Sequence, residues 1–270
     1  MQESAGKRPK MNEAMTEEEV TLDAFHRGAF WLVQPARRGH RAGVDAMMLA
    51  AAVPGSFSGR LADLGSGAGA AGFAVVARCR ASSVTLVDRS PEMLEFARRS
   101  LALEQNEDLR NRIDILEADV TLAGKERNAA GLEDRSFDFA IMNPPFNAGV
   151  DRATPDALKR LAHVMDDDLF ERWIRTATAI VKPRGGLALI ARPGSLHAIL
   201  MAMAGRFGNA EILPVHPRED AAAIRIVVRA RAGARGGLSV RPPLFLHGKG
   251  DSFTARADDI NNGRASLFGD

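Results

Sequence analysis

One stretch limits what this chain can fold into more than any other: Gly59-Arg60-Leu61-Ala62-Asp63-Leu64-Gly65-Ser66-Gly67-Ala68-Gly69. It reads as a short apolar strand running into a glycine-rich turn, because glycine lets the backbone turn sharply and approach a ligand without Cβ interference. Ala70 to Arg80 follows as a helix whose small residues face the sheet. Ser83-Val84-Thr85-Leu86-Val87-Asp88 is then a second buried strand, ending in an acidic residue nineteen positions after Gly69. From Arg60 onward strands and helices keep alternating, which implies an α/β fold with a parallel sheet covered on both faces. At 270 residues the chain is long enough for one large α/β domain with a full core, or for two small domains.

A carboxylate at Asp88 can accept both ribose hydroxyls of a nucleoside cofactor. Two cofactors compete for that reading. Gly67-Ala68-Gly69-Ala70-Ala71-Gly72 is a literal G-x-G-x-x-G, and Asp88 stands at about the right distance for NAD. Asp63, however, lies two residues before Gly65, where a pyrophosphate would meet an unfavourable negative charge. A zwitterionic amino-acid cofactor with an ammonium group, S-adenosylmethionine, would welcome it. Asp119, after the strand Arg112 to Glu117, could accept from an adenine amino group, or could be a polar strand exit. The balance favours S-adenosylmethionine over NAD.

The apolar run Phe137-Asp138-Phe139-Ala140-Ile141-Met142 ends in Asn143-Pro144-Pro145-Phe146. Asn-Pro is common turn punctuation, so an ordinary strand-ending turn is one reading. The other is chemical: the tetrapeptide suits a planar, weakly nucleophilic amino group such as the exocyclic nitrogen of adenine. The Asn143 side-chain oxygen and the Pro144 carbonyl could accept its hydrogens and hold its lone pair toward an electrophile. Two prolines stiffen the loop and push Asn143 into an extended conformation. Phe146 offers an aromatic face on which a flat substrate can stack.

With these residues in view, the chain resembles the class I S-adenosylmethionine-dependent methyltransferases, and among them the amino-group methyltransferases carrying Asn-Pro-Pro-Phe or Asn-Pro-Pro-Tyr. More narrowly, it resembles the bacterial tRNA-valine adenine N6-methyltransferases. Phe30-Trp31-Leu32-Val33-Gln34 and Gly39-His40-Arg41-Ala42-Gly43-Val44-Asp45-Ala46 look like that family's opening, and Pro214-Val215-His216-Pro217-Arg218 and Pro242-Pro243-Leu244-Phe245-Leu246-His247 like its closing strands. The likeness covers about residues 25 to 260. It implies a Rossmann-like fold with a seven-stranded, mostly parallel sheet, helices on both faces and an antiparallel last strand. It also implies a cofactor site. Asp63, Gly65, Ser66, Gly67 and Gly69 would hold the methionine portion. Asp88, with Arg89 beside it, would hold the ribose, and Asp119, with Val120, the adenine. Arg41, Gly43 and Asp45 would close the site from the N-terminal side, with Asn143 at the junction of cofactor and substrate. Asn143, Pro144, Pro145 and Phe146 would be the catalytic set. Many relatives have tyrosine where this chain has Phe146, so stacking survives and a phenol contact is lost.

Organisation along the chain is that of one domain with trimmings. Residues 1–24 read as a disordered tail, polar and poor in apolar residues. A single methyltransferase domain is expected over 25–270, with an N-terminal cap at 25–58 and a C-terminal extension at 232–270. The cap reads as a small hairpin or irregular segment from Phe25 to Arg41, then a short helix from Asp45 to Val53. Ser90 and Pro91 are expected to start a helix running to Leu103. Residues 121–135 and 148–167 read as excursions, the second a candidate lid carrying Arg152, Lys159, Arg160 and His163, which could meet substrate phosphates or simply be solvated. Asp168-Leu169-Phe170-Glu171 would then cap the next helix.

The formal net charge of +2 is too slight to argue for nucleic acid by itself. Nearly all the cations are arginine, which suits phosphate and stacking contacts but also follows from a G+C-rich coding sequence. Cys79 stands alone, so no internal disulfide or cysteine metal cluster is expected, and no metal is invoked. No apolar stretch approaches a membrane span and the N-terminus lacks a secretory core, so the expected location is cytoplasmic. The expected partner is an RNA substrate, tRNA on the family resemblance, recognised by the domain's own surface, with Arg225, Arg229, Arg231, Arg235 and Arg241 as candidates. Oligomeric state stays open. Two other functions stay open as well. One is methylation of guanine N2 in ribosomal RNA or of a protein glutamine; the other is non-catalytic RNA binding on the same fold.

Overall fold

The apolar runs of the sequence become the middle of a single mixed sheet. The structure, a computed structural model, describes residues 20–36, 43–145 and 156–270, with backbone alone over 156–167. A hairpin of β1 (Val20–Phe25) and β2 (Phe30–Pro35) precedes α1 (Val44–Ala51). The alternating part follows: β3 (Gly59–Leu64), α2 (Ala70–Arg78), β4 (Ser82–Asp88), α3 (Pro91–Ala102), α4 (Glu107–Arg110) and β5 (Ile113–Glu117). It continues through α5 (Gly124–Ala129), β6 (Phe137–Met142), α6 (Asp156–Ile180), β7 (Val181–Ala191) and α7 (Leu196–Met203). The closing elements are β8 (Phe207–His216), β9 (Arg225–Ala232), β10 (Ser239–Val240), β11 (Leu244–Phe245) and α8 (Ala255–Asn261).

Seven strands lie in the order β5-β4-β3-β6-β7-β9-β8, and β9 runs antiparallel to both of its neighbours. The expected seven-stranded sheet with a reversed last strand is therefore present. Two short strands of two residues each, β10 and β11, pair in parallel with β8 and bring the total to nine. Side chains alternate between faces, as the twofold strand period requires. On β3, Leu61 joins one core, and Ala62 and Leu64 join the other. The first core, with Phe30, Met47, Phe73 and Leu267, is covered by the hairpin, α1, α2 and α8. The second, with Phe137, Phe170, Trp173 and Ile199, is covered by α6 and α7. Met47 and Met48 both fill the first core. Ser90 caps α3 as expected, its hydroxyl accepting from the Met93 amide at 3.3 Å.

Three expectations need correction. Residues 20–24, expected to belong to a disordered tail, lie in β1, because Val20 to Ala24 pair with Trp31 to Pro35 and gain a ladder that their own composition does not announce. Residues 1–19 lie outside the described residues. The excursion at 148–167 is helical from Asp156 onward, so α6 runs for 25 residues. Its early part is rich in alanine, leucine, lysine, arginine and methionine, all good helix formers, with no glycine or proline after Pro155. The supposed cap at Asp168 therefore lies inside the helix, where Asp168 pairs with Arg172 four residues on at 2.6 Å, and Glu171 pairs with Arg206. β7 follows α6 directly, starting at Val181, and the β6–β7 register shifts between Phe137 and Phe139. The Phe139 ring lies over Gly186, where any side chain would collide with it.

Among the described residues no helix is long and apolar enough to cross a membrane. The last residues are tied back to the body: Leu267 N–H donates to Ala51 O at 2.7 Å and Gly55 N–H to Asp270 O at 3.0 Å. Arg229 on β9 is the centre of this closure. It pairs with Glu211 at 2.7 Å and with Asp270 at 2.8 Å, and its guanidinium lies 4.2 Å from the centroid of the Phe268 ring. Its side chain is only 13% exposed, so removing it leaves the partly buried Glu211 carboxylate without its nearest cation. Arg229→Ala is expected to cost about 3 kcal/mol in urea denaturation, in the range for breaking a buried ion pair. Asp270→Ala, at the more exposed end, is expected to cost about 1 kcal/mol or less.

Candidate functional site

β3 delivers its backbone into the glycine turn at the carboxyl edge of the sheet. Gly65, Gly67 and Gly69 take φ of +70°, +56° and +92°, a left-handed region that other residues enter at a cost. Close packing adds to the demand for glycine. A Cβ at Gly65 would overlap the six-membered ring of Trp173 from α6, and one at Gly69 would stand 2.7 Å from Leu86 Cδ1. Gly72, one turn into α2, lies so close to Leu86 and Val84 that a side chain has no room. Ala68, at the crest of the turn, packs with Val33 of β2 and Phe96 of α3, so the hairpin presses directly on the turn. The side chain of Met93, from α3, lies alongside Gly67.

Two carboxylates from adjacent strands hold this turn. Asp63 is 2% exposed and its Oδ2 accepts from the Gly72 N–H at 2.9 Å. Burial pushes its carboxyl up to about 7; the Gly72 amide pulls the other way, and the charge of Asp88 adds to the rise. Asp88, at the end of β4, accepts from Gly67 N–H at 2.8 Å through Oδ2 and from Ser90 N–H at 2.9 Å through Oδ1. Arg89 follows it, exposed. Two residues beyond β5, Asp119 accepts from the Thr121 amide at 2.8 Å and the Thr121 hydroxyl at 2.7 Å, both through Oδ1. Burial raises the Asp119 carboxyl, but these two bonds, with Arg89 and Arg172 nearby, outweigh it and leave it below its ordinary value. Val120 beside it is buried in the second core.

Asn143 enters from the neighbouring strand. Leu64 pairs with Met142 in the β3–β6 ladder, so the next residues along the two strands are Gly65 and Asn143. Among the described residues neither Asn143 Oδ1 nor Ser66 Oγ, both buried, has a hydrogen-bond partner. Pro144 is buried and Pro145 exposed. Arg41 and Phe146 lie outside the described residues, as do His40 and Arg152, and Lys159, Arg160 and His163 are described as helix backbone only. Gly43 stands at the start of α1, and Asp45, two residues on, pairs with Arg225 of β9 at 2.8 Å.

The structure thus gathers Asp63, Gly65, Ser66, Gly67, Gly69, Asp88, Asp119 and Asn143 along the carboxyl ends of β3, β4, β5 and β6, where ligands bind in open α/β sheets. Buried unpaired oxygens at Ser66 and Asn143, together with a turn too tight for side chains, fit a nucleoside cofactor lying across this edge. The arginines offered as an RNA surface divide differently. Arg225, Arg229 and Arg241 are drawn into contacts with Asp45, Glu211 and Asp270, while Arg231 and Arg235 stay exposed. Sequence reading missed Trp173 and the Val33 and Phe96 clamp. Their partners are distant in sequence, and a tryptophan in an amphipathic helix carries no local mark of what it touches.

Comparison with known proteins points one way. Residues 41–216 match the methyltransferase small domain family. A predicted O-methyltransferase of Agrobacterium tumefaciens is 47% identical, with 83% of this chain and 98% of that chain covered and a TM-score of 0.72. The T. thermophilus 16S rRNA N2 methyltransferase, solved with AdoMet and guanosine, shares the fold at 16% identity, 79% and 50% coverage and a TM-score of 0.52. A ribosomal RNA small subunit methyltransferase C from Haemophilus influenzae (strain PittEE) is 29% identical over 106 residues, 39% of this chain. The chain spans only 28% of the length of that curated relative.

The buried acid gives stability a signed pH dependence. Unfolded, Asp63 titrates near its ordinary 3.8, and folded it titrates near 7. Between those values the folded chain keeps a proton that the unfolded chain has released, so the contribution of Asp63 to stability falls as pH rises through the window. Urea melts from pH 4 to 7 are expected to show wild type losing stability relative to Asp63→Asn, which can still accept from Gly72. Parallel curves for the two proteins would contradict this.

Proposed function

The chain belongs to the methyltransferase small domain family and is an S-adenosylmethionine-dependent methyltransferase, and on that footing we propose that it methylates the exocyclic amino group of an RNA base, with adenine N6 in tRNA as the acceptor. The observation that carries the reading is Asn143 Oδ1, a buried acceptor beside the glycine turn that has no donor among the described residues. An amino group conjugated to a ring has hydrogens to give and a lone pair that attacks poorly. Accepting one hydrogen at Asn143 Oδ1 and another at the Pro144 carbonyl turns that lone pair toward the methyl group.

Bound S-adenosylmethionine supplies a methyl group on positively charged sulfur. The protein's own part is then chiefly orientation, since the site need stabilise no new anion. In the proposed arrangement Asp88 receives the ribose hydroxyls on lone pairs not used by Gly67 and Ser90. Asp119 keeps its Oδ2 for the adenine amino group. Asp63 faces the ammonium of the methionine portion, where a nearby cation favours its ionised form. Phe146 holds the flat acceptor base, which must leave its stack to reach the edge. A hydroxyl acceptor, suggested by the name of the Agrobacterium relative, needs a base to take its proton, and an asparagine amide supplies none.

A second reading is guanine N2 in ribosomal RNA. It draws support from the likeness to the Haemophilus rRNA methyltransferase, and guanine N2 is an amino group of the same planar kind. Adenine in tRNA is preferred on the segments flanking the core, residues 30–46, 214–218 and 242–247.

Asn143→Ala is expected to lower methyl transfer by about a hundredfold or more, the scale of a misplaced reacting group, with cofactor affinity nearly unchanged by calorimetry. Incubating the enzyme with isotope-labelled S-adenosylmethionine and total tRNA or ribosomal RNA, then identifying the nucleoside by mass spectrometry, decides the acceptor. N6-methyladenosine in tRNA is expected; N2-methylguanosine in ribosomal RNA selects the second reading, and an O-methylated product removes both.

A further inference from the structure

Two residues that adjoin Gly65, Trp173 and Asn143, each carry a buried polar atom, of opposite kind, that has no partner among the described residues. Trp173 projects from α6 and is 7% exposed, with its six-membered ring against Gly65. Its indole N–H is buried and has no acceptor. On the neighbouring strand, one residue past the Leu64–Met142 pair, Asn143 Oδ1 is buried and has no donor among the described residues. Orphaned buried groups of this kind are uncommon in native folds, and each calls for an explanation.

We infer that in the cofactor-bound enzyme the Trp173 indole N–H donates to Asn143 Oδ1, which makes Trp173 a positioning residue for methyl transfer. The inference rests on the reading of Asn143 as the group that accepts the acceptor's amino hydrogens. An asparagine amide is nearly symmetric in shape and can present either its NH2 or its oxygen to the same place. Presented with the NH2, the attacking nitrogen would meet a donor, and its lone pair would be drawn to the protein and away from the methyl group. A fixed donor behind Oδ1 selects the productive orientation. One lone pair of the oxygen takes the indole hydrogen, and the other is left for the substrate. Gly65 is the residue that allows this, because any larger side chain would move the ring.

The chain holds two tryptophans, Trp31 and Trp173, so Trp31→Phe leaves a single indole resonance in protein labelled with 15N-tryptophan. With S-adenosylhomocysteine bound, that indole proton is expected to move downfield and exchange slowly with water, and both effects should vanish when Asn143→Ala is added. Trp173→Phe keeps the ring and removes the N–H. It is expected to lower kcat about tenfold, the worth of one hydrogen bond, with KM for the cofactor within about twofold and Tm unchanged or higher. An indole signal indifferent to Asn143→Ala, or one that responds only to Ser66→Ala, overturns the inference, as does a wild-type kcat in Trp173→Phe. Assaying Asn143→Ala beside it separates the failures. A wild-type rate in Asn143→Ala removes the reading of the site itself, whereas a dead Asn143→Ala with an unaffected Trp173→Phe removes only the role of the indole.

Discussion

In the interior of the protein the Gly72 amide meets the Asp63 carboxylate at 2.9 Å, and the shape of the carboxyl edge follows from that bond. It joins the end of β3 to the first turn of α2, so the helix approaches the sheet as closely as bare backbone permits. Leu86 and Val84 fill the space that a side chain at Gly72 would need, and the turn from Gly65 to Gly69 is left at one height. Asp88 holds the same turn from the next strand through the Gly67 amide at 2.8 Å. The turn is thus held by one acid at its middle, through Gly67, and by another just beyond it, through Gly72 in the helix that follows. The cost is a buried carboxyl that holds its proton to about pH 7.

That arrangement explains why so much of the site was legible in the sequence. Glycines at 65, 67 and 69 and acids at 63, 88 and 119 are dictated by local backbone geometry and by strand ends, and both leave marks at fixed spacing. The sheet order followed from alternation, and the reversed β9 from the family resemblance. What stayed illegible depends on contacts between distant segments. Val20 to Ala24 look like tail until β2 pairs with them. Asp168 and Glu171 look like a helix start until Arg172 and Arg206 claim them. The arginines of β9 look like an open basic surface, but Asp45, Glu211 and Asp270 come to them from elsewhere in the chain.

The N-terminal hairpin and the C-terminal extension act on the same side of the sheet. Val33 presses on Ala68 at the crest of the turn, while Asn106 grips the backbone of Trp31, accepting from its amide at 2.9 Å and donating to its carbonyl at 2.6 Å. At the far end of the hairpin, Arg27 reaches Asp258 of α8 at 3.0 Å, and Arg264 reaches the same carboxylate at 2.6 Å. Both ion pairs are exposed and individually weak. Their value is positional, since they fasten the hairpin tip to the helix that also helps cover the first core.

Reversing one strand has a consequence for how such an enzyme can diversify. In a wholly parallel sheet only the segments that follow strands reach the ligand-bearing edge. Because β9 runs the other way, the connection from His216 to Ile224 turns back at that edge and returns directly into the sheet, with Ile224 42% exposed. This loop shares no hydrogen bond with the glycine turn or its two acids among the described residues. Its length and composition can therefore drift while the glycine turn and the acids that hold it stay intact, so one part of the carboxyl edge can change without disturbing the other.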